Sequence, residues 1–198
     1  MAHTINKAMT HEQAANSRAM FGFWVYLMTD LLMFGVLFAV FAVLHNNTAG
    51  GASGRELFRL PLALTETMLL LTSSFTVGLA MIAARQDKKP QVLAWFTVTF
   101  VLGMTFLILE LREFAQLIHE GHKPSSSAFL SSFYALVGAH GLHIVVGLLW
   151  MAIVMAFVLT RGLSSSMMRK LSMLSLYWHF LDIVWIFIFT IVYLKAFI

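Results

Sequence analysis

Five apolar stretches, each long enough to cross a lipid bilayer, constrain this chain more than any other feature of its sequence. They cover residues 21–44, 62–84, 92–118, 129–159 and 171–197. A bilayer core takes about 20 apolar residues per helix, and a helix satisfies its backbone hydrogen bonds internally. Only 11% of the residues are charged, against about 25% in soluble domains. The sequence therefore predicts an all-α, polytopic integral membrane protein, a bundle of five transmembrane helices.

The sequence predicts one membrane domain with a short polar extension. We expect residues 1–19 to form a disordered cytoplasmic tail and residues 20–198 to form the five-helix domain. The prolines, Pro61, Pro90 and Pro124, fall at helix entrances or in loops, where a missing N–H costs nothing. Because the loops are short, consecutive helices are expected to pack side by side and antiparallel.

Lysine and arginine are divided unequally between the two ends of the predicted bundle, eight against four. The larger group is Lys7, Arg18, Arg85, Lys88, Lys89, Arg161, Arg169 and Lys170, and the smaller is Arg55, Arg59, Lys123 and Lys195. Cytoplasmic loops of membrane proteins are rich in these residues, which predicts a cytoplasmic N-terminus and a periplasmic C-terminus. The same rule explains the net charge of +4, so nucleic acid is not expected as a partner.

Nine ionisable residues lie inside the predicted spans, where each costs roughly 2.5–3.5 kcal/mol and needs a reason. They are Asp30, Glu66, Glu110, Arg112, Glu113, His140, His143, His179 and Asp182. Six of them form pairs three residues apart, which places both members of a pair on one helix face. We predict that these membrane-buried polar residues join helices or bind lipid headgroups, with a proton or quinone role as the third alternative.

Depth along the helices predicts which of these residues meet. At about 1.5 Å per residue, one tier lies roughly 12–17 Å from the cytoplasmic helix ends and the other roughly 24–29 Å. The inner tier holds Asp30, His179 and Asp182, and the outer tier holds Glu66, Glu110, His140 and His143. The glutamates of the third span are therefore expected to meet the histidines of the fourth. Asp30 is expected to meet the polar face of the fifth.

The histidines raise the alternative of a haem b membrane anchor. Haem held by two histidines needs them on facing helices at one depth, but His140 and His143 share a helix and His179 lies about 12 Å deeper. The absence of cysteine excludes thiolate-bound clusters. A carboxylate–histidine site with Glu110 and Glu113 lacks the Glu-x-x-His motifs of di-iron bundles. We predict no catalytic centre, cofactor or metal site in this chain.

A secondary transporter is a further alternative, but it would need helices broken near the bilayer midplane, and the prolines lie outside the spans. Unbroken helices are instead expected to approach one another closely at small residues. The glycines predicted to allow this are Gly22, Gly35, Gly103, Gly138, Gly141 and Gly147.

Four segments resemble the cytochrome oxidase subunit III family. They are FGFWVYLMTD at 21–30, LELREF at 109–114, AHGLH at 139–143 and WHFLDIVW at 178–185. The resemblance runs from about residue 18 to the C-terminus, and Trp178 and Trp185 are the motif aromatics of its most specific segment. Longer members have two further helices at the N-terminus. Without them, the chain is most similar to the five-helix members of cytochrome o-type ubiquinol oxidases.

The resemblance implies a non-catalytic subunit of a proton-pumping haem–copper oxidase in a bacterial inner membrane, which oxidises ubiquinol and reduces oxygen. In the family, haem and copper lie in subunit I. Subunit III packs on subunit I beside subunits II and IV, holds phospholipids, and supports stability and proton uptake. Asp30 stands where longer relatives carry a carbodiimide-reactive glutamate. Because subunit II selects the electron donor, a cytochrome c oxidase remains the alternative.

Overall fold

Five long helices make up the structure. The computed structural model describes residues 2–48, 50 and 54–197, and the side chains of residues 17–48, 50, 54 and 57–197. The helices are α1 (Ala2–Leu44), α2 (Leu60–Arg85), α3 (Lys89–His119), α4 (Ala128–Arg161) and α5 (Ser165–Ile188). The last continues as a π-helical turn, Phe189–Tyr193, and a 3₁₀ turn, Leu194–Phe197. Each helix contains a segment long and apolar enough to cross a membrane, which confirms the predicted all-α, five-helix fold.

Local sequence explains where most of the helices begin and end. Pro61 and Pro90 lie in the first turns of α2 and α3, where no intrahelical partner for the N–H is lost. Ser127 and Ser164 cap α4 and α5, since each hydroxyl accepts from the backbone N–H three residues later, at 3.1 and 3.3 Å. Gly162, with φ of 74°, ends α4 in a conformation that glycine adopts readily.

The first helix is longer than the sequence predicted. It begins at Ala2, so the structure has a helix over residues 2–19, where the sequence predicts a disordered tail. The segment contains five alanines and neither proline nor glycine, and alanine has the highest helix propensity. Extending an existing helix is also far easier than nucleating a new one. The apolar span therefore propagates a helix back into the polar residues before it.

The two C-terminal helices, α4 and α5, lie at the centre of the arrangement. α4 packs on α3, α5 and α1, while α5 packs on α2, α4 and α1. The contact between α2 and α3 is the most extensive. The expectation that consecutive helices are neighbours is wrong for α1 and α2, because α1 packs mainly on α4 and α5. The connection between α1 and α2, residues 45–59, is the longest in the chain, and it allows this displacement.

α1 touches the rest of the protein along one narrow stripe. Its buried apolar side chains, Leu27, Phe34 and Phe41, are seven residues apart, the spacing of a single helix–helix seam. Away from this seam the helix is open, with Leu32 72% and Val43 75% exposed. α1 is therefore a peripheral helix with a broad apolar surface.

Two tryptophans of α5 connect it to α2. The indole N–H of Trp178 donates to Ser73 Oγ at 3.0 Å, and that of Trp185 donates to Thr67 Oγ1 at 3.1 Å. Both rings are buried. Since a buried indole N–H needs an acceptor, the two hydroxyls on α2 fix the height of α5 against it.

Three glycines make room for these contacts. A Cβ added at Gly103 on α3 would lie 2.8 Å from the ring of Trp178, and one at Gly147 on α4 would lie 3.1 Å from Tyr177. A Cβ at Gly141 would lie 2.8 Å from Glu110 Oε1. Close approach is thus confirmed at these three positions.

Three other glycines make no close contact with another helix in the described part of the chain. At Gly22 and Gly35, on the open side of α1, an added Cβ would have no neighbour within 4 Å among the described residues, and at Gly138 it would make an ordinary contact of 3.8 Å with Phe114. A glycine in a predicted span therefore does not by itself mark a close helix contact.

The substitution Gly103→Ala should destabilise the protein by about 1–3 kcal/mol, the usual cost of overpacking a core, because its methyl group would displace the Trp178 ring. Gly78→Ala on α2 is the matched control, since an added Cβ there would have open space. The measurement is thermal unfolding in detergent. Equal effects of the two substitutions would show that the ring does not depend on the space at Gly103.

Candidate functional site: polar side chains inside the bundle

Three glutamates come together between α2 and α3, and we call Glu66, Glu110 and Glu113 the carboxyl cluster. The three side chains are 0%, 2% and 8% exposed, respectively. Glu110 lies within electrostatic reach of both Glu66 and Glu113. Groups of like charge that are removed from water need compensation from their surroundings, so the neighbours of the cluster determine what it does.

Among the described residues, the cluster has one direct side-chain hydrogen bond and one close backbone contact. The hydroxyl of Tyr193, in the π-helical turn after α5, donates to Glu113 Oε2 at 3.0 Å. The carboxyl group of Glu110 lies against Gly141 on α4. The four carboxyl oxygens of Glu66 and Glu110 are buried and have no hydrogen-bond partner within the described part of the chain. This is unusual, because buried polar groups are nearly always paired.

A polar cavity adjoins the cluster where α2 begins and α3 ends. Its volume is about 80 Å³, and its lining includes Arg59, Glu113, Gln116 and Glu120. Arg59 acts electrostatically on Glu113, and Gln116 Nε2 donates to Glu120 Oε1 at 2.8 Å. Glu113 therefore connects the buried cluster to a polar, charged end of the bundle.

The third-span glutamates lie beside the fourth helix, as predicted, but the predicted contact with its histidines is wrong. His140 directly precedes Gly141, the glycine that lies against Glu110. The Nε2 of His140, however, donates to the backbone oxygen of Leu181 on α5 at 3.3 Å. Its ring lies 5.2 Å from that of Trp185 and 5.8 Å, edge-on, from that of Phe106. His140 thus joins α4 to α5 beside the cluster, enclosed by aromatic rings.

His143 has a different partner from the one predicted. Its Nδ1 donates to the backbone oxygen of Ala139 at 2.7 Å, and its Nε2 lies 3.8 Å from Asp30 Oδ2 on α1. The backbone oxygen of His143 accepts from the hydroxyl of Tyr177 at 3.0 Å. The prediction that Asp30 and His143 lie in separate tiers is wrong. Each depth was measured from an assumed helix end, so the difference between two depths contains the errors of two helix ends. For α1 the helix begins well before the apolar span.

The polar face of α5 meets α2 rather than Asp30. The hydroxyl of Ser74 on α2 bonds to Nδ1 of His179 at 2.5 Å, and the same serine lies close to the carboxyl group of Asp182. Asp182 is buried, and its two carboxyl oxygens have no hydrogen-bond partner by geometry among the described residues. The expected contact of Asp30 with His179 and Asp182 is therefore wrong.

Arg112 is the one residue of the predicted set that lies outside the bundle. Its side chain is exposed, whereas Glu110 and Glu113 on the same helix are buried. At about 100° per residue, Arg112 is turned far from both glutamates. It still lies within a helix long and apolar enough to span a membrane, so its prediction as a polar residue inside a span stays a prediction, with its side chain on the outer face of the bundle.

Sequence reasoning missed the hydroxyl partners of the site. Thr67, Ser73 and Ser74 on α2 all bond to α5, and Tyr193 bonds to the cluster. One signal was present: the intervals Glu66 to Ser73 and Thr67 to Ser74 are both seven residues, which places each pair on one helix face. No such spacing indicated Tyr193, because the π-helical turn determines where its side chain lies.

The chemistry available here is that of carboxyl, imidazole and hydroxyl groups, which accept and donate protons. Among the described residues, no three histidine, aspartate or glutamate side chains are arranged to hold a metal ion. The arrangement links helices through polar contacts and places titratable groups in an apolar interior.

The sequence matches the family model described as cytochrome c oxidase subunit III over residues 3–197. It is 52% identical over 195 residues to cytochrome bo(3) ubiquinol oxidase subunit 3 of Pseudomonas aeruginosa, covering 98% of this chain and 93% of that protein. It is 42% identical over 191 residues to quinol oxidase subunit 3 of Bacillus subtilis, covering 96% and 94%. It is 46% identical over 175 residues to cytochrome c oxidase subunit 3 of Bacillus sp. PS3, covering 88% and 84%.

Removal of the Tyr193 hydroxyl should weaken the contact between the carboxyl cluster and the end of α5. We expect Tyr193→Phe to lower the free energy of unfolding by about 0.6–1.7 kcal/mol, the range for hydrogen bonds between membrane helices. In a double-mutant cycle with Glu113→Leu, the two substitutions should be coupled. The control cycle uses Tyr177→Phe, whose hydroxyl donates to the backbone oxygen of His143 at 3.0 Å. Equal coupling in both cycles would contradict the assigned bond.

Proposed function

The chain belongs to the cytochrome c oxidase subunit III family, and we propose that it is the third subunit of a haem–copper quinol oxidase that oxidises ubiquinol and reduces oxygen in aerobic respiration. The observation that carries this proposal is the 52% identity to a ubiquinol oxidase subunit 3, which extends over 98% of this chain and 93% of that relative. The five spans and the buried polar residues are the framework such a subunit provides.

Quinol is proposed as the electron donor because two of the three relatives named above are quinol oxidase subunits. The relative from Bacillus sp. PS3 is named as a cytochrome c oxidase subunit and is 46% identical. A cytochrome c oxidase is therefore the second candidate. The choice of donor belongs to another subunit in this proposal, so it leaves the role of this chain unchanged.

In this proposal the chain is non-catalytic. Haem and copper are held by subunit I, and ubiquinol is the substrate of the whole complex. The chain packs on subunit I beside subunits II and IV and supports the stability of the complex and its proton uptake. The nine polar residues of the spans serve as structural or lipid-binding groups. The contacts of Glu113 with Tyr193 and of His179 with Ser74 support this, because each joins two helices.

Phospholipids are the second class of partner. The broad apolar surface of α1 matches acyl chains and apolar helices equally well. Arg112, on the outer face of α3, extends toward lipid phosphate groups, as long cationic side chains do near membrane interfaces. Both features support a subunit that binds lipid at its periphery while its interior remains tightly packed.

The chain is proposed to lie in a bacterial inner membrane with its N-terminus in the cytoplasm and its C-terminus in the periplasm. The turn between α2 and α3 carries Arg85, Lys88 and Lys89, and such clusters remain on the cytoplasmic side. The connection between α3 and α4, with Lys123 as its only lysine or arginine, then faces the periplasm.

Extraction from native membranes in a mild detergent tests the assembly. The chain should co-purify with haem- and copper-bearing subunits that consume oxygen when supplied with ubiquinol. Once stripped from the complex, the chain should be colourless, and the depleted oxidase should start at a similar rate but inactivate sooner. A chain that purifies alone and carries haem would contradict the proposal and favour a haem b membrane anchor.

Cysteine labelling tests the orientation, since the chain contains no cysteine of its own. Lys123→Cys should react with a membrane-impermeant maleimide in intact spheroplasts. Lys88→Cys, the matched position at the other end of α3, should react only after lysis. Both side chains are exposed, so accessibility within the protein is equal. The opposite labelling pattern would overturn the assigned orientation.

A further inference from the structure

We propose that the carboxyl cluster is a proton-binding site that exchanges protons with water through the polar cavity beside Glu113. The cluster comprises two side chains, Glu66 and Glu110, whose four carboxyl oxygens are buried without a hydrogen-bond partner among the described residues. A third, Glu113, reaches both the cluster and the cavity. This goes beyond the role of a packing subunit, and it concerns side chains of this chain alone.

The missing hydrogen bonds indicate protons as the ligand. A carboxylate accepts hydrogen bonds only, whereas a protonated carboxyl group also donates one. When two carboxyl groups lie close together, one proton turns an unpaired acceptor into a donor for its neighbour. Partial protonation of the cluster therefore provides hydrogen-bond donors for the carboxyl oxygens that have no partner among the described residues.

The charge balance leads to the same conclusion. Among the described side chains, Arg59 is the cation that acts on the cluster, and it acts on Glu113 at the cavity edge. On α4, Tyr134 lies within electrostatic reach of Glu113, and His140 is occupied by Leu181. From the end of α5, Tyr193 donates to Glu113. Three buried carboxylates facing one peripheral guanidinium would leave negative charge uncompensated in an apolar interior, which is strongly unfavourable.

The cavity supplies the route. Its volume of about 80 Å³ accommodates at least two water molecules at roughly 30 Å³ each. Besides Glu113, its polar lining includes Arg59, Gln116 and Glu120, which provide partners for such waters. A hydronium ion in the cavity gives its proton to a carboxylate oxygen of Glu113 and becomes water, and the proton then passes to Glu110 or Glu66. One carboxylate becomes a carboxylic acid, and release reverses the step without any other reactant.

Infrared spectroscopy of the full chain in lipid vesicles tests the site directly. We expect the carbonyl band of protonated carboxyl groups at neutral pH, and we expect this band to shift when the vesicles are transferred to D₂O. Each of Glu66→Gln, Glu110→Gln and Glu113→Gln should reduce the band, while the control Asp87→Asn, in the exposed turn after α2, should leave it unchanged. Three substitutions are used so that the proposal can still be tested if one of the variants fails to fold.

A second measurement tests the route. Gln116→Trp fills the cavity and should slow the shift of the band in D₂O severalfold, while its area at neutral pH remains the same. A band that none of the three glutamine substitutions reduces, or that shifts as fast in Gln116→Trp as in the parent chain, would overturn the proposal. Neither readout depends on oxidase assembly, so this inference and the proposed function can fail independently.

Discussion

The indole hydrogen bonds from α5 to α2 are the contacts on which the arrangement of the helices depends most. Lipid tails are as apolar as leucine, so burying apolar surface does not hold membrane helices together. Close packing and hydrogen bonds must do so. Trp178 supplies both, since its N–H reaches Ser73 while its ring fills the space beside Gly103 and Gly147. One side chain thereby touches α2, α3 and α4 at once.

The aromatic residues that pack α5 also adjoin the carboxyl cluster. The ring of Trp185 lies 4.7 Å from that of Phe106, 5.2 Å from that of His140 and 6.1 Å from that of Tyr193. Two members of this aromatic group also reach the cluster, since Tyr193 donates to Glu113 and His140 precedes the glycine that lies against Glu110. The packing of α5 and the surroundings of the carboxyl cluster therefore depend on the same rings.

The sequence was sufficient for the fold class, because five spans of sufficient length leave few alternatives for a chain in a bilayer. It was insufficient for the polar pairings. Asp30 meets His143 and His179 meets Ser74, although depth along the helices suggested otherwise. Small errors at two helix ends add up, and depth alone does not reveal which helices are neighbours. The displacement of α1 from α2 onto α4 and α5 could not be deduced from loop lengths.

Residue burial was predicted well where helix periodicity alone decides it, as for Glu110 and Glu113 on one face of α3. Arg112 shows a limit of hydropathy as a guide, because the place of a residue in an apolar span does not determine which face of the helix it occupies. Tyr193 shows a further limit. A local π-helical turn changes the direction of side chains, and no residue in the sequence predicts that turn.

The peripheral position of α1 has a consequence for how the chain is made. α1 leaves the ribosome first, but its packing partners α4 and α5 begin only at residues 128 and 165. Synthesis proceeds at roughly 5–20 residues per second. α1 is therefore in the bilayer for on the order of ten seconds before the seam of Leu27, Phe34 and Phe41 can pack on α4 and α5. Its open apolar surface is therefore suited to lipid from the moment of insertion, and docking of the first helix is among the last steps of folding.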